Sequence, residues 1–130
     1  MKFVCLGYIE AGKFEGMPES ERSAFVDGCF AYDDVLRKNG NFAGGEALQP
    51  ASTAATLRFR EGKVWVTDGP YVETKEQIGG ILILEADDLD HAVRLMSQHP
   101  GVRAGPFEIR PAADLTGMIR ESERRRAAKR

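Results

Sequence analysis

The chain has 130 residues, of which 42% are apolar and 29% charged, and its net charge is -2. That length has room for one domain, able to bury about two-thirds of the surface its unfolded chain exposes, and the balance is too apolar for wholesale disorder. The residues from Arg120 to Arg130 carry +4, which leaves -6 on the rest, so the body is a poor platform for phosphate backbones and nucleic-acid binding would rest on the tail alone. No apolar run approaches the span of a membrane. The opening segment is followed at once by Glu10, Gly12 and Lys13 and lacks the form of a signal peptide. The two cysteines, Cys5 and Cys29, form neither a C-x-x-C pair nor a metal-ligand spacing, and a reducing cytoplasm fits them.

Residues 2–9 are rich in strand formers and apolar on both faces, the mark of a first strand. Pro18 suits a first helical turn, Glu19 and Glu21 complement a helix start, and Phe25, Cys29, Tyr32 and Leu36 recur at helical steps until Asn39-Gly40 stops them. A second strand falls within 41–48, with a bulge expected at Gly44-Gly45. Residues 56–60 and 63–67 flank a Glu61-Gly62 turn and read as a hairpin. Leu57, Phe59, Val64 and Val66 mark a core-facing side, and the arginines and Trp65 mark the other. The run Ile81-Leu82-Ile83-Leu84 predicts a strand covered on both faces. Asp87 is the expected start of a second helix with Leu89, Ala92, Val93 and Met96 as its buried stripe. Phe107 to Arg110 gives a last strand, and residues 113–130 form a basic, helical extension after a domain spanning 1–112.

With the hairpin set aside, the order is strand, helix, strand, strand, helix, strand. This is the α+β arrangement of a ferredoxin-like split βαβ fold, and right-handed crossovers place both helices on one face of the sheet. Strands apolar on both sides then leave the helix-free face without cover. A second copy of the chain is the expected cover, giving a homodimeric α+β barrel; the alternative is the tail folding back through Leu115, Met118 and Ile119.

Between the hairpin and the apolar strand lies Asp68-Gly69-Pro70-Tyr71-Val72-Glu73-Thr74-Lys75-Glu76, with Gly79-Gly80 beyond. It resembles the signature of the YCII-related family, DGPF subgroup, with Tyr71 in place of the usual Phe. The likeness extends through Gly44 to Pro50 upstream and Glu108 to Pro111 downstream. The resemblance implies a dimeric α+β barrel of ferredoxin-like topology. It also implies a histidine and an aspartate in a cleft, suspected of acid-base chemistry on small molecules, or a regulatory role beside sigma factors of the extracytoplasmic-function type. This chain departs from that pattern. Its first helix has no histidine, and His91 and His99 both fall on the second helix, where each looks local.

Asp68-Gly69-Pro70 has a structural reading as a turn, in which the Asp side chain holds the backbone two residues on, Gly accepts positive φ and Pro fixes its own. It has a chemical reading as well. Asp68, Glu73, Lys75 and Glu76 crowd nine residues, with Glu46 able to turn toward the same cleft, and carboxylates sharing a cleft with a lysine have displaced pKa values. On the second reading Asp68 is the catalytic candidate and Glu46, Glu73, Lys75 and Glu76 bind a small polar metabolite. No cofactor and no metal site is indicated, since neither histidines nor cysteines cluster. The two cysteines read as small core residues, and the basic run at 124–130 reads as a solvated end.

Overall fold

The computed structural model describes residues 1–129 and orders them as β1 (Lys2–Glu10), α1 (Glu19–Lys38), β2 (Phe42–Ala47), β3 (Ala55–Arg60), β4 (Lys63–Asp68), β5 (Glu76–Glu85), α2 (Leu89–Ser97), β6 (Phe107–Pro111) and α3 (Thr116–Ala128). Short 3-10 turns occupy Ala51–Thr53 and Pro100–Arg103. Arg130, the end of the basic run, lies outside the described residues. Four strands form an antiparallel sheet in the order β2-β5-β1-β6, and β3 and β4 form a separate two-stranded hairpin. This is the ferredoxin-like α+β order, with the hairpin inserted between the second and third strands of the motif.

Strand periodicity sorts the sheet into two faces. Phe3 and Cys5 of β1 pair with Leu84 and Leu82 of β5, and all four are buried in one core with Leu36 of α1 and Ala92 and Met96 of α2. The alternate residues Val4 and Leu6 pair with Ile83 and Ile81 and stay partly exposed on the face without helices. That face continues into Gly44 and Glu46 of β2, and into Arg110 and Glu108 of β6. The expected bulge in β2 appears as a register shift between Phe42 and Gly44. Asp88, not Asp87, caps α2 by accepting from the His91 backbone N–H at 2.8 Å.

The tail forms its helix but does not fold back, since Leu115, Met118 and Ile119 are 51%, 68% and 50% exposed. The hairpin departs further from the expectation. Glu61 and Gly62 turn it with φ of 52° and 76°, as the pattern requires, yet the side carrying Leu57, Phe59, Val64 and Val66 faces solvent. Its polar side is the one turned toward the chain: the Thr56 hydroxyl donates to the Gly69 carbonyl at 2.8 Å, and the Arg58 guanidinium lies 5.3 Å from the centre of the Tyr71 ring. Alternation states which side chains share a face and leaves open which way that face turns.

The chain exposes 9650 Å², against roughly 6,800 Å² for a compact monomer of its mass. Hairpin and tail both stand away from the body. Among the described residues no helix is long and apolar enough to cross a membrane.

Candidate functional site

On β1 the sequence passes from buried Gly7 to Tyr8, which shares the helix-free side with Leu6 and pairs across the sheet with Ile78. The register of the two strands shifts at this point, and an open groove of about 660 Å³ lies beside it. The sheet supplies Tyr8 and Ile78 to its floor, the segment after β2 supplies Leu48 and Pro50, and the loop after the hairpin supplies Pro70, Tyr71 and Val72. Gln49, Thr53, Thr74, Glu76 and Gln77 add polar groups to the lining. An apolar trough with a few polar groups in its lining is the usual form of a small-molecule site.

The loop that makes one wall is held from below. The Gln77 side-chain amide donates to the Val72 carbonyl at 2.6 Å and to the Thr74 carbonyl at 3.1 Å, while the Thr74 hydroxyl donates to the Glu76 carbonyl at 2.6 Å. Gly69 takes φ of 94°, a value that favours glycine, and its N–H donates to the Ala54 carbonyl at 2.7 Å. The turn reading of Asp68-Gly69-Pro70 therefore holds for the glycine but not for the aspartate. Asp68 is exposed at the end of β4, and its carboxylate has no hydrogen-bond or ion-pair partner among the described residues.

Of the five residues singled out from sequence, only Glu76 lines the groove. Glu76 stands opposite Glu10 across β1 and β5, a like-charged pair that is unfavourable alone, and Lys75 reaches Glu10 at 3.7 Å. Glu10 has no motif around it to mark it in the sequence; the sheet register brings it to the site. Glu73 is exposed on the loop, and Glu46 lies on the helix-free face opposite Ile81. Tyr8, Gln77 and Ile78 were also missed, although the alternation along β1 already sets Tyr8 apart from Phe3 and Cys5.

His99 is not a local helix-end residue. It follows α2, is 8% exposed, and its Nε2 lies 3.0 Å from Oδ1 of Asp33 on α1. Nδ1 accepts from the Gly101 N–H at 3.0 Å, so Nε2 carries the proton that Asp33 accepts. The Tyr32 ring meets the imidazole edge-on at 5.6 Å between centroids, and its hydroxyl donates to the Leu95 carbonyl at 2.5 Å. Both ring nitrogens are engaged in a sealed contact that ties α1 to the chain after α2, away from the groove. His91 is local as expected, with Nδ1 accepting from the Asp87 N–H at 3.0 Å. Burial pushes the Cys5 thiol up to about 11, and burial followed by the nearby Asp33 carboxylate raises that of Cys29, so neither is activated as a nucleophile. Among the described residues no three His, Cys, Asp or Glu side chains converge as metal ligands.

The sequence profile of the YCII-related domain matches residues 1–116. An uncharacterized protein of Rhizobium meliloti (strain 1021) is 40% identical over 70 residues, which cover 51% of this chain and 55% of that protein. The chain thus spans about half the length of this curated relative. Among solved structures, 5-chloro-2-hydroxyhydroquinone dehydrochlorinase from Burkholderia phenoliruptrix AC1100, in complex with 2,5-dihydroxybenzoquinone, superposes with a TM-score of 0.51 at 19% identity, over 87% of this chain and 94% of that one. That likeness is one of fold.

Proposed function

The chain belongs to the YCII-related domain family, and from that premise we propose that it binds a small, flat, largely apolar molecule with polar groups on one edge, and does so as a homodimer. The observation that carries the reading is the groove of about 660 Å³ between the sheet and the loop after the hairpin, a volume within the usual range for small-molecule sites. Tyr8 and Tyr71 offer ring faces, while Thr74, Glu76 and Gln77 add acceptors and donors to the lining. Glu76 is the one carboxylate in that lining, so it is the group to accept from a hydroxyl or amine of the ligand. With Glu10 opposite and Lys75 beside it, it has the neighbours a proton-transfer role needs.

The experiment is a thermal-shift titration with 2,5-dihydroxybenzoquinone and a panel of ring compounds bearing hydroxyl or amino groups. A ligand that binds the folded state alone raises stability by RT ln(1 + L/Kd) at free ligand concentration L, so the melting temperature climbs with the logarithm of ligand concentration above Kd. The expected result is a shift in the parent that Glu76→Gln weakens and Tyr8→Ala abolishes, with both variants folded by circular dichroism. A panel that leaves the parent unshifted, or shifts that both variants retain in full, overturns the groove as a binding site.

A further inference from the structure

A second cleft, of about 350 Å³, opens between α2 and β6 on the side of the sheet that carries the helices. Met96 and Phe107 line its depth, and Leu89, Val93 and Val102 line its mouth at 45%, 44% and 41% exposure. The start of α2 brings Asp87 and Asp90 to the Leu89 end. Neither carboxylate has an ionic partner. Asp87 lies 3.6 Å from His91 Nδ1, but that nitrogen accepts from the Asp87 N–H and so holds no proton. The opposite end is basic, with Arg94 on α2 and Arg103 beyond it.

The tail helix carries the matching pattern. At 3.6 residues per turn, Leu115, Met118, Ile119, Arg125, Arg126 and Lys129 fall within an arc of about 120°. One side of α3 is therefore apolar over its first half and basic over its second, with Glu121 and Glu123 on the flanks. The three apolar side chains are all at least half exposed. Ile119 and Arg125 are six positions apart, as are Val93 and Asp87, about 9 Å along a helix in each case. An antiparallel pair of α3 and α2 thus sets Ile119 on Val93 and Arg125 beside Asp87 at once. The tail does not make that pair with its own α2. Both helices leave the same end of the sheet, where Glu85 and Pro111 flank Lys2 and Phe3. Folded back along its own cleft, α3 would run parallel to α2 and bring its basic half to Arg94 and Arg103. Those two charges outweigh the half-charge of opposite sign at the helix end, as Asp87 and Asp90 outweigh the one at its start.

We propose that α3 of each copy lies antiparallel to α2 in this cleft of a second copy, reciprocally, within the homodimer proposed above. The contact is separate from whatever covers the helix-free sheet face, and it does not depend on the ligand groove. Three apolar residues and a few exposed ion pairs make a modest contact, one that orders the tail more than it holds the pair together.

The test is disulfide trapping in the full chain with Val93→Cys and Ile119→Cys together, in a Cys29→Ala background; Cys5 is buried and out of reach. Mild oxidation should give a species of twice the 14.3 kDa chain mass on a non-reducing gel, closed by two disulfides. Either new cysteine alone should leave the chains unlinked, and Glu123→Cys in place of Ile119→Cys should link severalfold less. Both variant sites are exposed, and circular dichroism checks that the fold is kept. Adding Asp87→Lys and Asp90→Lys should lower the linked fraction by about two- to fivefold, the size of an exposed ion pair, and Arg125→Glu with Lys129→Glu should restore it. A chain that closes its disulfide on itself overturns the inference, because the tail then lies on its own α2. A ladder of more than two chains overturns the reciprocal exchange, and an absence of linked species overturns the contact. Linking that ignores the charge reversals overturns the antiparallel match.

Discussion

His99 joins two parts of the chain that are 66 residues apart, and the strength of that tie depends on what its loss leaves behind. With His99 replaced by alanine, the Asp33 carboxylate and the Gly101 N–H lose their partners together, in a place where His99 itself is buried. An orphaned buried group costs about 1–3 kcal/mol, so His99→Ala should lower stability by about that amount in a urea melt. Asp33→Asn keeps an oxygen able to accept from Nε2 and should cost clearly less. Equal losses for the two variants would show that charge, not the hydrogen bond, holds the contact. Asp68 presents the opposite case. Its exposed carboxylate has no partner, so Asp68→Asn and Asp68→Ala should both fall within about 0.5 kcal/mol of the parent. A larger loss confined to Asp68→Ala would restore the side-chain bond that a turn reading of the motif expects.

At the scale of elements, α3 and the hairpin both protrude, but for different reasons. The tail helix from Thr116 to Ala128 has no buried residue, and its basic face repels itself more than it packs. Removal of residues 113–130 should therefore leave the melting temperature within a few degrees of the parent and the oligomeric mass per chain otherwise unchanged, measured by calorimetry and sedimentation. An insoluble truncation would mean that the tail covers apolar surface in the assembly. Where each element lies was legible from local pattern: the strands and helices along the chain, the irregularity in β2 and the Glu61-Gly62 turn all follow from residues within one element. The sidedness of the hairpin was not, because Thr56 and Arg58 are turned inward by Gly69 and Tyr71, which lie beyond the return strand. The candidate site was legible only in its neighbourhood. Spacing pointed to the segment 68–76, yet the register of β1 against β5 decides that Glu76 and Tyr8 meet there while Asp68 and Glu73 do not. The Asp33–His99 pair escaped for the same reason, since helical spacing relates residues one or two turns apart and not across two elements.

For the molecule as a whole, the balance between core and surface sets what can fold alone. The fully buried large side chains are few, with Phe3, Leu36, Leu84 and Met96 the main ones, and a core of that size sits beside two apolar faces that one copy leaves uncovered. If those faces are covered by a second copy, folding and association are one equilibrium, and stability depends on protein concentration. Each tenfold rise in concentration then adds about 1.4 kcal/mol to the folded dimer. For a dimer of two such chains that corresponds to about 2–3 °C in melting temperature. Calorimetric scans over a hundredfold range of concentration should show that climb in the parent and in the chain lacking residues 113–130. Ile81→Asp, on the helix-free sheet face, should melt lower and with no dependence on concentration, because it would unfold from a monomer. A parent whose melting temperature is the same at both ends of the range would mean that the two apolar faces are stable in water as they stand, and the folding unit would then be the single chain.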